Sequence, residues 1–167
     1  MQFQFAVFAM NLAAQQKEPL IPVEIPMRSW SKLAIDLFVL NGKNYVILVD
    51  YYSDYWELTE LHHTSATEVI NYCKEQFSRH GICDILISDN GSKFSSTEFS
   101  RFAVEWEFQH STSSPYHSQS NGKAESAVKI AKRLLTKAFR DGSDPLIAIL
   151  EWINTPTEGL NSSPVQR

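Results

Sequence analysis

The chain has 167 residues, enough for one domain with a sizeable hydrophobic core. Its 43% hydrophobic and 20% charged residues are those of a globular protein and exclude disorder along the whole length. The net charge of −4 weighs against a uniformly basic nucleic-acid binder, although gathered carboxylates can mask a local basic patch. Two cysteines, Cys73 and Cys83, with no Cys-x-x-Cys pair, exclude a disulfide framework and a cysteine-rich zinc site and suit a reducing compartment.

Met1 to Ala14 is apolar, but the first cation is Lys17, so the basic start of a signal peptide is missing. No apolar run approaches the roughly 20 residues of a membrane helix. Pro19, Pro22 and Pro26 then break regular structure. Residues 1–28 are therefore expected to be an N-terminal extension and linker, and residues 29–167 the folded domain.

Leu33 to Leu40 is almost continuously apolar, interrupted by Asp36, and Val46 to Val49 is a second such run. Runs of this kind suit strands covered on both faces, here joined by a tight turn at Asn41-Gly42. Tyr55 to Leu61 reads as a third strand, reached through a turn at Ser53-Asp54. The period then changes: Ala66, Val69, Ile70, Cys73 and Phe77 form one helical stripe, opened by a Ser65/Glu68 capping box and stopped by Gly81. Ile85 to Ser88 predicts a short buried strand. A second helix is expected from a Ser95/Glu98 capping box, carrying Phe99, Phe102, Ala103 and Trp106, and Phe108 to His110 predicts a fifth strand. Residues 111–122 read as a loop. A long helix follows with Ala124, Ala127, Val128, Ala131, Leu134, Leu135 and Ala138 on one face, then a last helix opened by Asp144-Pro145. The sum is an α/β layer fold with a five-stranded mixed sheet flanked by helices.

Three carboxylates stand out. Asp36 interrupts a buried-looking strand, where a charge is costly unless paired or bound to metal; alone it reads equally well as a strand-end aspartate meeting water or a lysine. Asp89 follows the strand Ile85 to Ser88, beyond whose carboxyl end α/β sites lie, yet Asp89-Asn90-Gly91 is also an ordinary turn. Glu125 lies in the first turn of the long helix, where the dipole favours an anion, and could simply pair with Lys129. Together they change meaning, because convergent carboxylates repel unless cations sit among them, and all-oxygen ligands favour Mg²⁺ or Mn²⁺. Asp50 and Asp54 read as surface turn residues, and Glu57 and Glu60 as solvated strand positions. His62 and His63 lack partners for a zinc site; Cys73, Trp56, Trp106 and Trp152 read as packing residues.

The order Asp36, then Ser88-Asp89-Asn90-Gly91, then Ser114-Pro115-Tyr116-His117-Ser118-Gln119-Ser120-Asn121-Gly122-Lys123-Ala124-Glu125 closely resembles integrases of gypsy-type long-terminal-repeat retrotransposons, within the retroviral integrase superfamily. The likeness runs over most of residues 17–167, including Val49-Asp50-Tyr51-Tyr52-Ser53, His80-Gly81 and Asn154-Thr155-Pro156. It implies a ribonuclease H-like three-layer core and a catalytic and metal-binding triad of Asp36, Asp89 and Glu125. It further implies two Mg²⁺ or Mn²⁺ ions, trimming of DNA ends and joining of the exposed 3′-hydroxyl to a target phosphodiester. The partners implied are element ends and target DNA, with a homo-oligomer of at least two copies, no membrane, and work in the nucleus. Similar sequences carry an upstream zinc domain and a downstream DNA- or chromatin-binding domain, and neither is expected within this stretch. A binding module without catalysis, and a ribonuclease H acting on RNA–DNA hybrids, stay open as other readings; the latter lacks the loop string leading into Glu125.

Six cations, Lys123, Lys129, Lys132, Arg133, Lys137 and Arg140, lie along the long helix. At 100° per residue Glu125, Lys129 and Lys132 fall within an arc of roughly 60°, away from the alanine–leucine face. Lys129 and Lys132, with Lys123, are expected to hold DNA phosphates. Tyr116, His117, Gln119 and Asn121 in the preceding loop are expected to touch the substrate, His117 as a positioning group rather than a general base.

Overall fold

The computed structural model describes residues 26–113 and 121–167. Two strands, β1 (Lys32–Leu40) and β2 (Lys43–Asp50), are joined at Asn41 and Gly42, whose φ angles of 51° and 74° give the two-residue turn that matches strand twist. β3 (Trp56–Leu61) completes an antiparallel meander. The helix α1 (Ala66–His80) then crosses to β4 (Ile85–Ser88), and α2 (Thr97–Glu105) crosses to β5 (Gln109–Thr112). Both crossovers return parallel, giving one mixed sheet in the order β3-β2-β1-β4-β5. The chain continues through α3 (Gly122–Asp141) and α4 (Pro145–Asn154) to a short 3₁₀ turn at Pro164–Gln166.

The apolar runs alternate between two cores. Leu33, Ile35, Val46 and Leu48 face α1 and α2, packing with Val69, Cys73, Phe77, Phe99 and Phe102. Phe38, Tyr45, Ile47 and Val49 face the other way, onto Ala127, Ala131 and Leu135 of α3. The alanines let the long helix lie close to the sheet. Trp56 is buried on this side with Trp152 of α4 against it, ring centroids 5.1 Å apart. Each fully buried large side chain contributes roughly 2–3 kcal/mol of transfer free energy. No helix among the described residues is long and apolar enough to cross a membrane.

Several local expectations are corrected. The second helix starts one residue later than predicted: Ser96 caps it by accepting from the Phe99 N–H at 3.1 Å. Ser95 lies one residue outside the helix, where its hydroxyl donates to the Gly91 carbonyl at 3.1 Å. At α1, Ser65 accepts from the Glu68 N–H as expected, but the Glu68 carboxylate turns to the N–H groups of His62 and His63 instead of closing the box. The fifth strand runs to Thr112, longer than predicted, because its ladder follows β4 as far as Ser88.

Asp50 is the largest correction: it is fully buried. Its carboxylate accepts from Ser29 Oγ, the N–H groups of Trp30, Tyr52 and Ser53, and Ser53 Oγ, at 2.6–3.2 Å. The turn it closes therefore wraps around the carboxylate, and the segment entering β1 is latched to it. Glu57 is likewise partly enclosed, accepting from Tyr55 Oη at 2.8 Å with His80 Nε2 at 3.0 Å. Glu60 stays exposed and pairs with Lys43.

Candidate functional site

Side-chain alternation sets the site. On β1, Ala34, Asp36 and Phe38 share the face toward α3, as Ala34 packs with Ala124 and Phe38 with Ala127 and Ala131. On β4, Ile87 joins the same side, packing with Ala34 and Ala124. β1 and β4 pair in parallel with Ala34 opposite Ile87. Carrying that register two residues onward brings Asp36 and Asp89 to neighbouring strand positions on one face. Adjacent strands run about 4.8 Å apart, so Asp36 and Asp89 lie side by side where the strands begin to separate. Glu125 enters from above, one residue past Ala124.

The electrostatics report this convergence. The Asp36 carboxyl is pushed up to about 6, chiefly by burial and then by the negative charges of Asp89 and Glu125. The Leu37 N–H, 2.8 Å from Asp36 Oδ1, and the cation of Lys132 oppose the rise. Asp36 is thus the inner member of three mutually repelling acids, while Asp89 and Glu125 are exposed.

Asp89 is held by its own turn. Its Oδ1 accepts from the Gly91 N–H at 3.0 Å. A Cβ on residue 91 would lie 2.9 Å from that same oxygen, so glycine is what lets the backbone come close enough to bind it.

The residues fit a hard divalent cation. The donor set is three carboxylates with no thiol or imidazole, which suits Mg²⁺ or Mn²⁺. The Asp36 carboxyl is raised by burial first and by the charges of Asp89 and Glu125 second, and a bound cation would offset both. Among the described residues no three His, Cys, Asp or Glu side chains are already closed to ligand spacing.

The predicted phosphate contacts divide. Lys129 is exposed on α3. Lys132 lies with its Nζ 5.4 Å from the Phe38 ring centroid, and its charge acts on Asp36. Lys123 instead forms an ion pair with Asp54, which Arg167 also approaches at 3.9 Å. Asn121 is buried at the start of α3, with no hydrogen-bond partner for its Oδ1 among the described residues. Tyr116, His117 and Gln119 lie outside the described residues. Cys73 and Cys83 are free and buried, and burial pushes both thiols up, Cys83 to about 12, so neither is an available nucleophile.

The contact between Ser88 and His110 is not predicted from the sequence. Ser88 is fully buried at the end of β4, and His110 Nε2 lies 2.8 Å from its hydroxyl. The available signal was a hydroxyl at a strand position that should point into the core.

Comparisons with known proteins bear on the family and the fold. A family model described as integrase core domain matches residues 27–118, more than half of the chain. An uncharacterized protein of Caenorhabditis elegans is 33% identical over 150 residues, which cover 87% of this chain and 12% of that protein. The chain spans 5–12% of the length of the first curated relatives it matches. Among solved structures, a chain in the simian T-cell lymphotropic virus intasome in complex with PP2A regulatory subunit B56 gamma aligns with a TM-score of 0.76 and 21% identity. That alignment covers 86% of this chain and 55% of that one. The catalytic core domain of BIV integrase aligns with a TM-score of 0.68 and 21% identity, over 82% of this chain and 92% of that one. At this identity the likeness establishes the fold, which is ribonuclease H-like.

Proposed function

The chain belongs to the integrase core domain family, and from that premise we propose that it is a polynucleotidyl transferase of DNA integration using Asp36, Asp89 and Glu125 as its catalytic and metal-binding triad. Residues 29–167 are the catalytic core domain, and residues 1–28 are an extension and linker. The observation that carries the reading is the electrostatic convergence of Asp89 and Glu125 on the partly buried Asp36. Two bound Mg²⁺ or Mn²⁺ ions would supply a lowered pKa for the attacking oxygen and charge neutralisation on both sides of an in-line displacement.

The chain's own residues supply the rest. Asp36 holds the inner position, fixed by the Leu37 N–H, and Asp89 is oriented by the Gly91 N–H. Lys129 and Lys132 face the DNA backbone along α3 and set its register through phosphates. Lys123 reaches the same duplex if its Asp54 pairing opens, and Tyr116, His117, Gln119 and Asn121 are the further substrate contacts of this proposal. In end trimming, water attacks a phosphodiester and releases a 3′-hydroxyl. In joining, that hydroxyl oxygen bonds to a target phosphorus as the target's own 3′-oxygen leaves. The likeness to an intasome chain supports assembly on DNA ends with at least two copies. Chromosomal DNA as target sets this work in the nucleus.

Short DNA duplexes incubated with the chain and Mg²⁺ or Mn²⁺ should give joined products, and Glu125→Gln should give none. No products from the wild type, or equal products from the variant, would overturn the reading. Gly91→Ala is expected to displace the Asp89 carboxylate and weaken Mn²⁺ binding about tenfold. Its folding stability should stay within about 0.5 kcal/mol of the wild type, because the displaced group is exposed. Mn²⁺ titration and a parallel urea melt check both halves of that expectation.

A further inference from the structure

We propose that His110 is a positioning residue for Asp89, acting from the opposite face of the sheet through the hydroxyl of Ser88. The inference rests on the metal-triad reading and adds a residue to it. Ser88 Oγ donates its one proton to the Asp89 carbonyl at 2.7 Å. That proton is spent, so the 2.8 Å contact with His110 must have Nε2–H as donor and Ser88 Oγ as acceptor. Burial holds the imidazole below its ordinary pKa, so the ring is neutral and its single N–H is committed to the serine. The ring is held in place against Phe99, with centroids 4.8 Å apart.

The preceding carbonyl is fixed as well. Ser88 C=O accepts from the Ser113 N–H at 2.8 Å and from Ser113 Oγ at 3.2 Å. The two peptide planes that flank the Asp89 Cα are thereby both anchored. Peptide planarity means that fixing both planes fixes φ and ψ of Asp89, and with them the direction of its Cβ. The Gly91 N–H then sets the carboxylate itself. Leu86 and His110 are register partners on β4 and β5, so the imidazole lies on the α2 side while Asp89 points toward α3. The support comes from behind the site and leaves its metal-facing side open.

His110→Phe fills the volume without the donor, His110→Gln carries an N–H₂ group at similar reach, and Ser88→Ala cuts the chain at its other link. Three measurements on the full chain decide the matter: ¹⁵N NMR of the wild-type imidazole, Mn²⁺ affinity, and the rate of DNA joining at saturating duplex. The proposal expects the Nε2–H tautomer in the metal-free chain. It expects Mn²⁺ affinity and kcat to fall about tenfold in His110→Phe and Ser88→Ala, with KM for DNA unchanged. The double variant should be no worse than either single one, since both break one chain. His110→Gln should recover to within about twofold of the wild type. An Nδ1–H tautomer, unchanged Mn²⁺ affinity and kcat in both single variants, or a folded His110→Gln as defective as His110→Phe would overturn it. A wild type with the Nε2–H tautomer but no carboxylate-dependent Mn²⁺ uptake would overturn the triad reading first and this inference with it.

Discussion

Asp36→Asn is expected to give a chain that no longer joins DNA yet melts higher than the wild type at pH 7 in EDTA. Both effects have one cause. The folded chain holds the Asp36 proton more tightly than the unfolded chain, at about 6 against the ordinary 3.8. With respect to this group, folding is therefore most favourable below about pH 4 and weakens as pH rises toward 6. Above that, the ionised carboxylate is disfavoured by burial and by Asp89 and Glu125. The shift of about two pKa units, discounted for the solvent that still reaches the group, corresponds to roughly 1–2 kcal/mol. Asparagine removes the charge and keeps the shape and the acceptor for the Leu37 N–H. The metal-free variant should gain about 3–6 °C at pH 7, and the gain should close by pH 4. Loss of the inner cation ligand should cost joining about 10³-fold or more, near 4 kcal/mol of transition-state stabilisation. Thermal melts from pH 4 to 7, with and without EDTA, test the stability half. A variant no more stable than the wild type at pH 7 would mean that Asp36 is not strained by its neighbours.

Asp50→Ala is expected to be the most destabilising single change in the carboxylates, at about 3–5 kcal/mol. Its removal strands the N–H groups of Trp30, Tyr52 and Ser53 and two serine hydroxyls that now converge on it. Asn is no rescue: both carboxylate oxygens accept, so one amide face would meet donors with a donor. Urea unfolding monitored by tryptophan fluorescence gives the magnitude. Hydrogen exchange at residues 29–32 should rise first, since the latch holds the chain entering β1. By contrast, removing the exposed Glu60 carboxylate, which pairs with Lys43, should stay within about 0.5 kcal/mol.

These two aspartates also show what the sequence made legible. Asp36 was visible because it broke an apolar run that had to be covered on both faces, and a charge at such a position needs a partner. Alternation along β1 then sufficed to put it on one face with Ala34 and Phe38. The α3 stripe, the Asn41-Gly42 turn and the Asp144 cap were equally local and equally readable. Asp50 was not, since a turn aspartate is ordinarily solvated and two of its donors come from Ser29 and Trp30, about 20 residues earlier in the chain. The Ser88–His110 contact spans 22 residues and depends on the β4–β5 register, which no local pattern encodes. In each case the missing information was a hydrogen-bond partner supplied by tertiary structure.

Mn²⁺ titration in the presence of a short DNA duplex, followed by electron paramagnetic resonance, asks most directly whether the three carboxylates form one cation site. The wild type should take up Mn²⁺ saturably, and Asp36→Asn, Asp89→Asn and Glu125→Gln should each abolish that uptake while leaving a folded chain. Equal uptake by wild type and all three variants would show that Asp36, Asp89 and Glu125 converge without holding the metal.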